Sequence, residues 1–241
     1  MNISITYIHH NCFVMKTEGR TFLFDYPGDA HLPDGGEAMV QEAVAGTDLA
    51  VFISHSHEDH LNNDLVTMAS TADSVRYVLS DDVEDMRPET IPSGADVLIV
   101  EPDERYELGG MIVETLLSND LGVAFMVEDG DFRFYFGGDL AKWVWPSASE
   151  KESSFTERFY RRAMERVRDF KPHVAFSNVD RRLDNLAGGD EACRFAGAEV
   201  FVPMHTFGQT DWLSDFQRLV GDTKSRLFIY SRPGEKGEFS F

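Results

Sequence analysis

The chain has 241 residues, 42% hydrophobic and 12% aromatic, enough for one large core or two packed layers, and a single domain over residues 1–241 is expected. Its 42 acidic and 22 basic side chains give a formal charge of −20, which repels polyanions and anionic membrane surfaces and argues against nucleic acid as substrate. Cys12 and Cys193 are too few for a disulfide framework and read as reduced thiols, and the absence of a leader segment or a membrane-length apolar run predicts a soluble, cytoplasmic protein with no membrane partner.

Ile3 to Ile8 and Cys12 to Thr17 are short β-rich runs, Thr17-Glu18-Gly19-Arg20 reads as a turn, and Thr21 to Phe24 resumes an extended run that ends at Asp25. The segment Gly28 to Gly36 reads as a loop, Glu37 to Ala45 as a short helix and Leu49 to Ile53 as an apolar strand. Further strands are predicted at Arg76 to Leu79, Val97 to Val100, Met111 to Leu117, Val123 to Val127 and Phe132 to Phe136. The last third alternates. Ser153 to Phe170 carries Phe155, Phe159, Met164, Val167 and Phe170 at helical spacing, and its arginines, Arg158, Arg161, Arg162, Arg166 and Arg168, read as a solvated face. Strands at Val174 to Val179, Val200 to Pro203 and Leu227 to Tyr230 then alternate with helices at Gly189 to Phe195 and Trp212 to Val220, which implies sheets covered by helices.

Directly after the strand Leu49 to Ile53 comes Ser54-His55-Ser56-His57-Glu58-Asp59-His60. Packing gives no reason to crowd three imidazoles and a carboxylate at the end of an apolar strand, whereas these groups are the usual ligands of zinc and related divalent ions. Two other strand ends carry donors. Phe132 to Phe136 runs into Gly137-Gly138-Asp139, where the glycines permit a tight turn, and Val200 to Pro203 leads to Met204-His205. Taken alone, Asp139 reads as a turn former or cap and His205 as a core or surface histidine; their joint placement at strand ends makes the ligand reading the stronger one.

The pattern H-x-H-x-D-H at His55, His57, Asp59 and His60, followed by Gly-Gly-Asp139 and Pro-Met-His205, resembles the metallo-β-lactamase superfamily of metal-dependent hydrolases, and among its members the small stand-alone lactonase-like branch. The resemblance implies an α+β fold, a four-layer αββα sandwich, with Asp25 as a structural aspartate supporting the metal loop. It implies two metal sites, one using His55, His57 and a third histidine, the other using Asp59, His60 and His205, with Asp139 bridging. Where the third histidine is expected the chain reads Leu117-Ser118-Asn119-Asp120-Leu121. Serine is a poor zinc ligand; Asp120 offers a carboxylate, Asn119 a weak carbonyl oxygen, and Asp180 is a further candidate unless Arg181 or Arg182 pairs with it.

One or two divalent ions are therefore expected, zinc first, with manganese or iron favoured if Asp120 replaces the histidine. Such an ion lowers the pKa of a bound water to about 7 and polarises the electrophile, so neither a serine nor a cysteine nucleophile is required. Asp59 would be both ligand and orienting catalytic group. Cys12, beside His9 and His10, is assigned a structural or rim role. Trp143 and Trp145 either wall the pocket or pack in the core, Lys142 is the nearby cation, and Phe207 and Gln209 could line the rim. The expected activity is hydrolysis of a small ester, lactone or phosphoester; a non-catalytic metal- or ligand-binding descendant of the fold is the alternative, and a nuclease is disfavoured by the acidic surface.

Overall fold

The computed structural model describes residues 1–94, 96–221 and 223–241. In chain order its elements are β1 (Asn2–His9), β2 (Cys12–Lys16), β3 (Thr21–Phe24), α1 (Gly36–Val44), β4 (Asp48–Ile53), α2 (Leu65–Met68), β5 (Ser74–Ser80), α3 (Asp81–Met86), β6 (Asp96–Val100), β7 (Arg105–Leu108), β8 (Met111–Leu117), β9 (Val123–Asp129), β10 (Phe132–Phe136), α4 (Glu150–Phe170), β11 (Val174–Asn178), α5 (Gly189–Phe195), β12 (Val200–Met204), α6 (Leu213–Val220), β13 (Arg226–Leu227) and β14 (Lys236–Ser240). The fold is α+β, and the chain divides into two compact units, Met1–Glu101 with Tyr230–Phe241, and Pro102–Ile229.

The first unit holds a seven-stranded sheet in the order β14-β1-β2-β3-β4-β5-β6. β14, β1, β2 and β3 pair antiparallel, and β3 to β6 pair parallel. Central strands β3 and β4 are apolar on both faces because both are buried. One face packs Val14, Leu23, Val51 and Leu79 with Val40 and Val44 of α1 and Val83 of α3. The other presents Phe22, Phe24 and Phe52, whose ring centroids lie 6.0–6.4 Å apart.

The second unit repeats the plan. Its sheet runs β13-β12-β11-β10-β9-β8-β7, with β7 to β10 antiparallel and β10 to β13 parallel. Helix α4 starts at a capping box in which Ser149 and Glu152 exchange side-chain and backbone hydrogen bonds, so it begins three residues before the predicted Ser153. It buries Tyr160, Ala163, Met164 and Val167 and exposes all five arginines named above. Phe155, expected in the apolar stripe, is 63% exposed, because it lies beyond the stretch of α4 that is buried.

Two expectations need correction. The predicted strand Leu227 to Tyr230 is only Arg226–Leu227, since Pro203 shares the backbone direction of Phe201 and has no N–H to continue the ladder toward β13. Helices α2 and α3 and edge strands β7 and β14 lie in segments read as connections. Among the described residues no helix is long and apolar enough to cross a membrane.

Candidate metal centre

The alternation of serine with histidine in Ser54 to His57 has a structural cause in the first unit. Asp25, just past β3, accepts hydrogen bonds from the Ser54 N–H and the Ser54 hydroxyl, each at 2.8 Å. Asp82, in the first turn of α3, accepts from the Ser56 N–H at 2.8 Å. Two carboxylates thus grip the loop at its serines and leave the histidines for one another: Nε2 of His55 lies 3.0 Å from Nδ1 of His57, and Nδ1 of His55 lies 3.0 Å from Ser54 Oγ.

Asp25 has a second task. Nδ1 of His60 donates to its Oδ2 at 2.7 Å, with both side chains fully buried. That bond fixes the tautomer and leaves Nε2 as the lone-pair nitrogen, the form in which imidazole ligates a metal. Burial pushes the Asp25 carboxyl above its ordinary range despite the opposing pull of His60 and Ser54. The His60 ring lies 4.0 Å from that of His55 and meets His10 edge-on at 5.1 Å. An Asp59 oxygen stands 3.9 Å from His60 Nε2 and 3.5 Å from His10 Nε2. His10 and Asp82 are the residues sequence reasoning missed here, although a histidine in a two-residue hairpin turn is a readable anomaly.

In the second unit Gly137 and Gly138 are required by geometry. A Cβ on Gly137 would sit 3.0 Å from Tyr135 Oη and 3.3 Å from the Phe176 carbonyl oxygen, and Gly138 has φ 50°. The turn they make delivers buried Asp139. His205, just past β12 at φ 66°, places Nε2 3.5 Å from Asp139 Oδ2 and Nδ1 3.3 Å from Asp180 Oδ2. Arg182, through its backbone N–H and its guanidinium, hydrogen-bonds Asp180, whereas Arg181 faces Asp211 at 3.6 Å. Burial disfavours the Asp180 charge, but His205 and Arg182 overcome it and hold the carboxyl well below the usual range.

Trp143 donates its indole N–H to the Asp139 carbonyl at 2.8 Å, lies 5.1 Å from the His205 ring, and runs parallel to Trp145 at 6.2 Å. The Arg182 guanidinium sits over Trp145 and over Phe207, at 5.6 and 4.6 Å. Lys142 directs its ammonium to Glu191 at 3.2 Å and Glu157 at 3.9 Å. Asp120 is exposed in the β8–β9 turn, where its N–H donates to Ser118 Oγ at 3.2 Å. The Asn119 amide is committed to Ala141, donating at 2.8 Å and accepting at 3.1 Å, so it braces the turn against the Asp139 loop instead of offering an oxygen to a metal.

Four of the eight non-glycine residues with positive φ among the described residues are His10, Asp25, His205 and Phe207, a concentration of backbone strain at these loops. A cavity of about 480 Å³ beside the first unit's loop is lined by Tyr26, Glu58, Leu61 and Arg87, and two of its acids are engaged: Asp29 accepts from Asn62, and Asp64 caps α2. Imidazoles oriented by buried carboxylates beside further carboxylates are a donor set that fits a divalent metal ion.

Residues 4–152 match the β-lactamase superfamily domain, and the chain belongs to that family. No curated protein matches the sequence. Igni18, a metallo hydrolase from the archaeon Ignicoccus hospitalis, is 17% identical over 100% of both chains, with a TM-score of 0.67. YhfI from Bacillus subtilis, a metallo-β-lactamase fold protein, is 15% identical over 99% of both chains, at 0.64. CmlA from Streptomyces venezuelae, a diiron β-hydroxylase, is 15% identical over 99% of this chain and 54% of its own, at 0.54. These likenesses show the metallo-β-lactamase fold. The chain is a member of the metallo-β-lactamase superfamily of metal-dependent hydrolases.

Proposed function

We propose that this protein hydrolyses a small ester, lactone or phosphoester, using zinc, manganese or iron, the last being the metal of CmlA. The observation that carries the reading is the loop of the first unit: His55 and His57 nitrogens 3.0 Å apart, and His60 locked by Asp25 into a ligating tautomer. When bound, a divalent ion supplies hydroxide near neutral pH and polarises the electrophile. In this reading His55, His57, Asp59 and His60 hold the metal together with Asp139 and His205, and Asp120 supplies the remaining donor of the first site. The order of these residues along the chain supports that assignment.

Asp59 orients the attacking oxygen, and Asp25 holds Nδ1 of His60 so that its Nε2 is aimed away from the pair. Trp143 and Trp145 offer flat apolar surface to a small organic substrate. The Lys142 ammonium, engaged by Glu191 and Glu157, positions its own loop rather than the substrate. A second reading, a non-catalytic metal-binding descendant, is favoured by one observation: the turn Leu117 to Leu121 holds no histidine, and its Asn119 amide is engaged by Ala141.

Elemental analysis of the purified protein, with hydrolysis assays on lactone, thioester, carboxylic ester and phosphodiester panels in added zinc, manganese or iron, separates the two. Bound metal with turnover of one substrate class is expected. Bound metal without turnover on any panel selects the second reading, and protein that takes up no metal refutes both.

A further inference from the structure

The hairpin between β1 and β2 closes through His10 and Asn11, and both are buried, at 1% and 0% exposure. Hairpin tips normally lie at the surface, where water satisfies their polar groups. A positive φ at the first of two turn residues is the geometry that favours glycine there, yet this chain places a histidine at φ 48°. The strained residue is held in place: its N–H donates to Tyr7 Oη at 3.3 Å, and the Tyr7 ring stacks on Tyr230 at 3.9 Å. What the arrangement achieves is the delivery of one imidazole. Its Nε2 reaches Asp59 Oδ2 at 3.5 Å, and its ring edge packs on His60 at 5.1 Å.

Asp59 is 24% exposed on the loop between His57 and His60, where its Oδ2 stands 3.9 Å from His60 Nε2 and an outside partner would further fix the carboxylate in one orientation. We propose that His10 is that partner, a positioning residue that fixes the Asp59 carboxylate by an Nε2–H to Oδ2 interaction. The role rests on the reading of Asp59 as ligand and orienting group. A purely structural role would be met best by glycine, which adopts the left-handed region at no steric cost, whereas histidine at φ 48° carries the steric cost of its Cβ.

The opposed demands of backbone and side chain supply the test. His10→Gly removes the imidazole and relaxes the turn, while His10→Asn tolerates the left-handed backbone and keeps a side-chain donor. Both are compared with the native protein by melting temperature after metal removal, by cobalt(II) uptake and absorption spectrum, and by kcat and KM on whichever panel ester or phosphodiester the native protein hydrolyses. His10→Gly should melt no lower than the native protein, bind the same equivalents of cobalt with an altered spectrum, and lose about 10- to 100-fold in kcat at unchanged KM. His10→Asn should recover part of that loss.

Native kcat and spectrum in His10→Gly overturn the proposal. So does a fall in melting temperature that accounts for the lost activity, or the loss of a cobalt equivalent, which would make His10 a ligand. Asp59→Asn is the control for the underlying reading: if it keeps native cobalt binding and turnover, that assignment of Asp59 fails whatever His10 does.

Discussion

Asp25 is the most sensitive single position of the first unit, because three donors converge on it at 2.7–2.8 Å in a fully buried setting. In Asp25→Ala the Ser54 hydroxyl can turn to His55 Nδ1, already 3.0 Å away, which leaves the Ser54 N–H and the His60 Nδ1–H unpaired. At about 1–3 kcal/mol for each buried unpaired donor, the loss is roughly 2–6 kcal/mol, to be set against a total stability of about 5–15 kcal/mol. For a chain of this size 1 kcal/mol moves the melting temperature by about 2–4 °C, so a drop of roughly 5–20 °C is expected in metal-free protein. Asp25→Asn keeps the shape but presents an N–H to His60, which moves the imidazole proton to Nε2 and removes the ligating lone pair. Its melting temperature should fall much less, while metal affinity, read by titration with cobalt(II), falls about 10- to 100-fold. Native metal affinity in Asp25→Asn, or an Asp25→Ala protein melting within about 2 °C of the native one, would refute this reasoning.

Asp48 carries a pH prediction. Partial burial works against its charge, but Ser74, Arg76 and Arg20 hold its carboxyl below the ordinary range. A folded pKa below the unfolded one gives stability that is present above the unfolded value, about 3.9, and lost as pH falls through the folded pKa. The melting-temperature gap between native protein and Asp48→Asn should therefore hold steady down to about pH 5 and close below about pH 4; a gap independent of pH would show that these partners do not stabilise the charge. The thiols give a simpler check. Burial raises both Cys12 and Cys193, so a thiol-specific reagent should label neither in the folded protein and both of the chain's 2 cysteines after unfolding; rapid labelling of native protein would contradict their burial.

The strands that were legible in the sequence are those whose own side chains are buried, such as Thr21 to Phe24 and Phe132 to Phe136, where apolar character and strand are the same fact. Edge strands β7, Arg105-Tyr106-Glu107-Leu108, and β14, Lys236 to Ser240, alternate between exposed and half-buried positions, so their strand state comes from a partner's backbone rather than from their own residues. The loop Ser54 to His60 stood out as a candidate because its histidines and Asp59 are adjacent in sequence. Asp82, His10 and the pairing of Asp180 with His205 were not, because each acts on a residue 25 or more positions away and only the sheet order brings them together.

That sheet order nevertheless contains a rule that a reader of strand ends could apply. In the first unit Asp25, the loop beginning at Ser54, and Asp82 all lie just beyond the C-terminal ends of the adjacent parallel strands β3, β4 and β5. In the second unit Asp139, Asp180 and His205 lie just beyond the C-terminal ends of the adjacent parallel strands β10, β11 and β12. Open sheets with parallel strands gather functional groups at this rim because every strand there releases its chain into a loop on the same side. The repetition extends to the chemistry. Asp25 leaves β3 and holds Nδ1 of a histidine delivered by the neighbouring β4, while Asp180 leaves β11 and stands against Nδ1 of a histidine delivered by the neighbouring β12. In both units a buried carboxylate on one strand end thus stands at Nδ1 of the next strand's imidazole, so Asp180, weighed from sequence as a ligand, occupies beside His205 the place that Asp25 occupies beside His60.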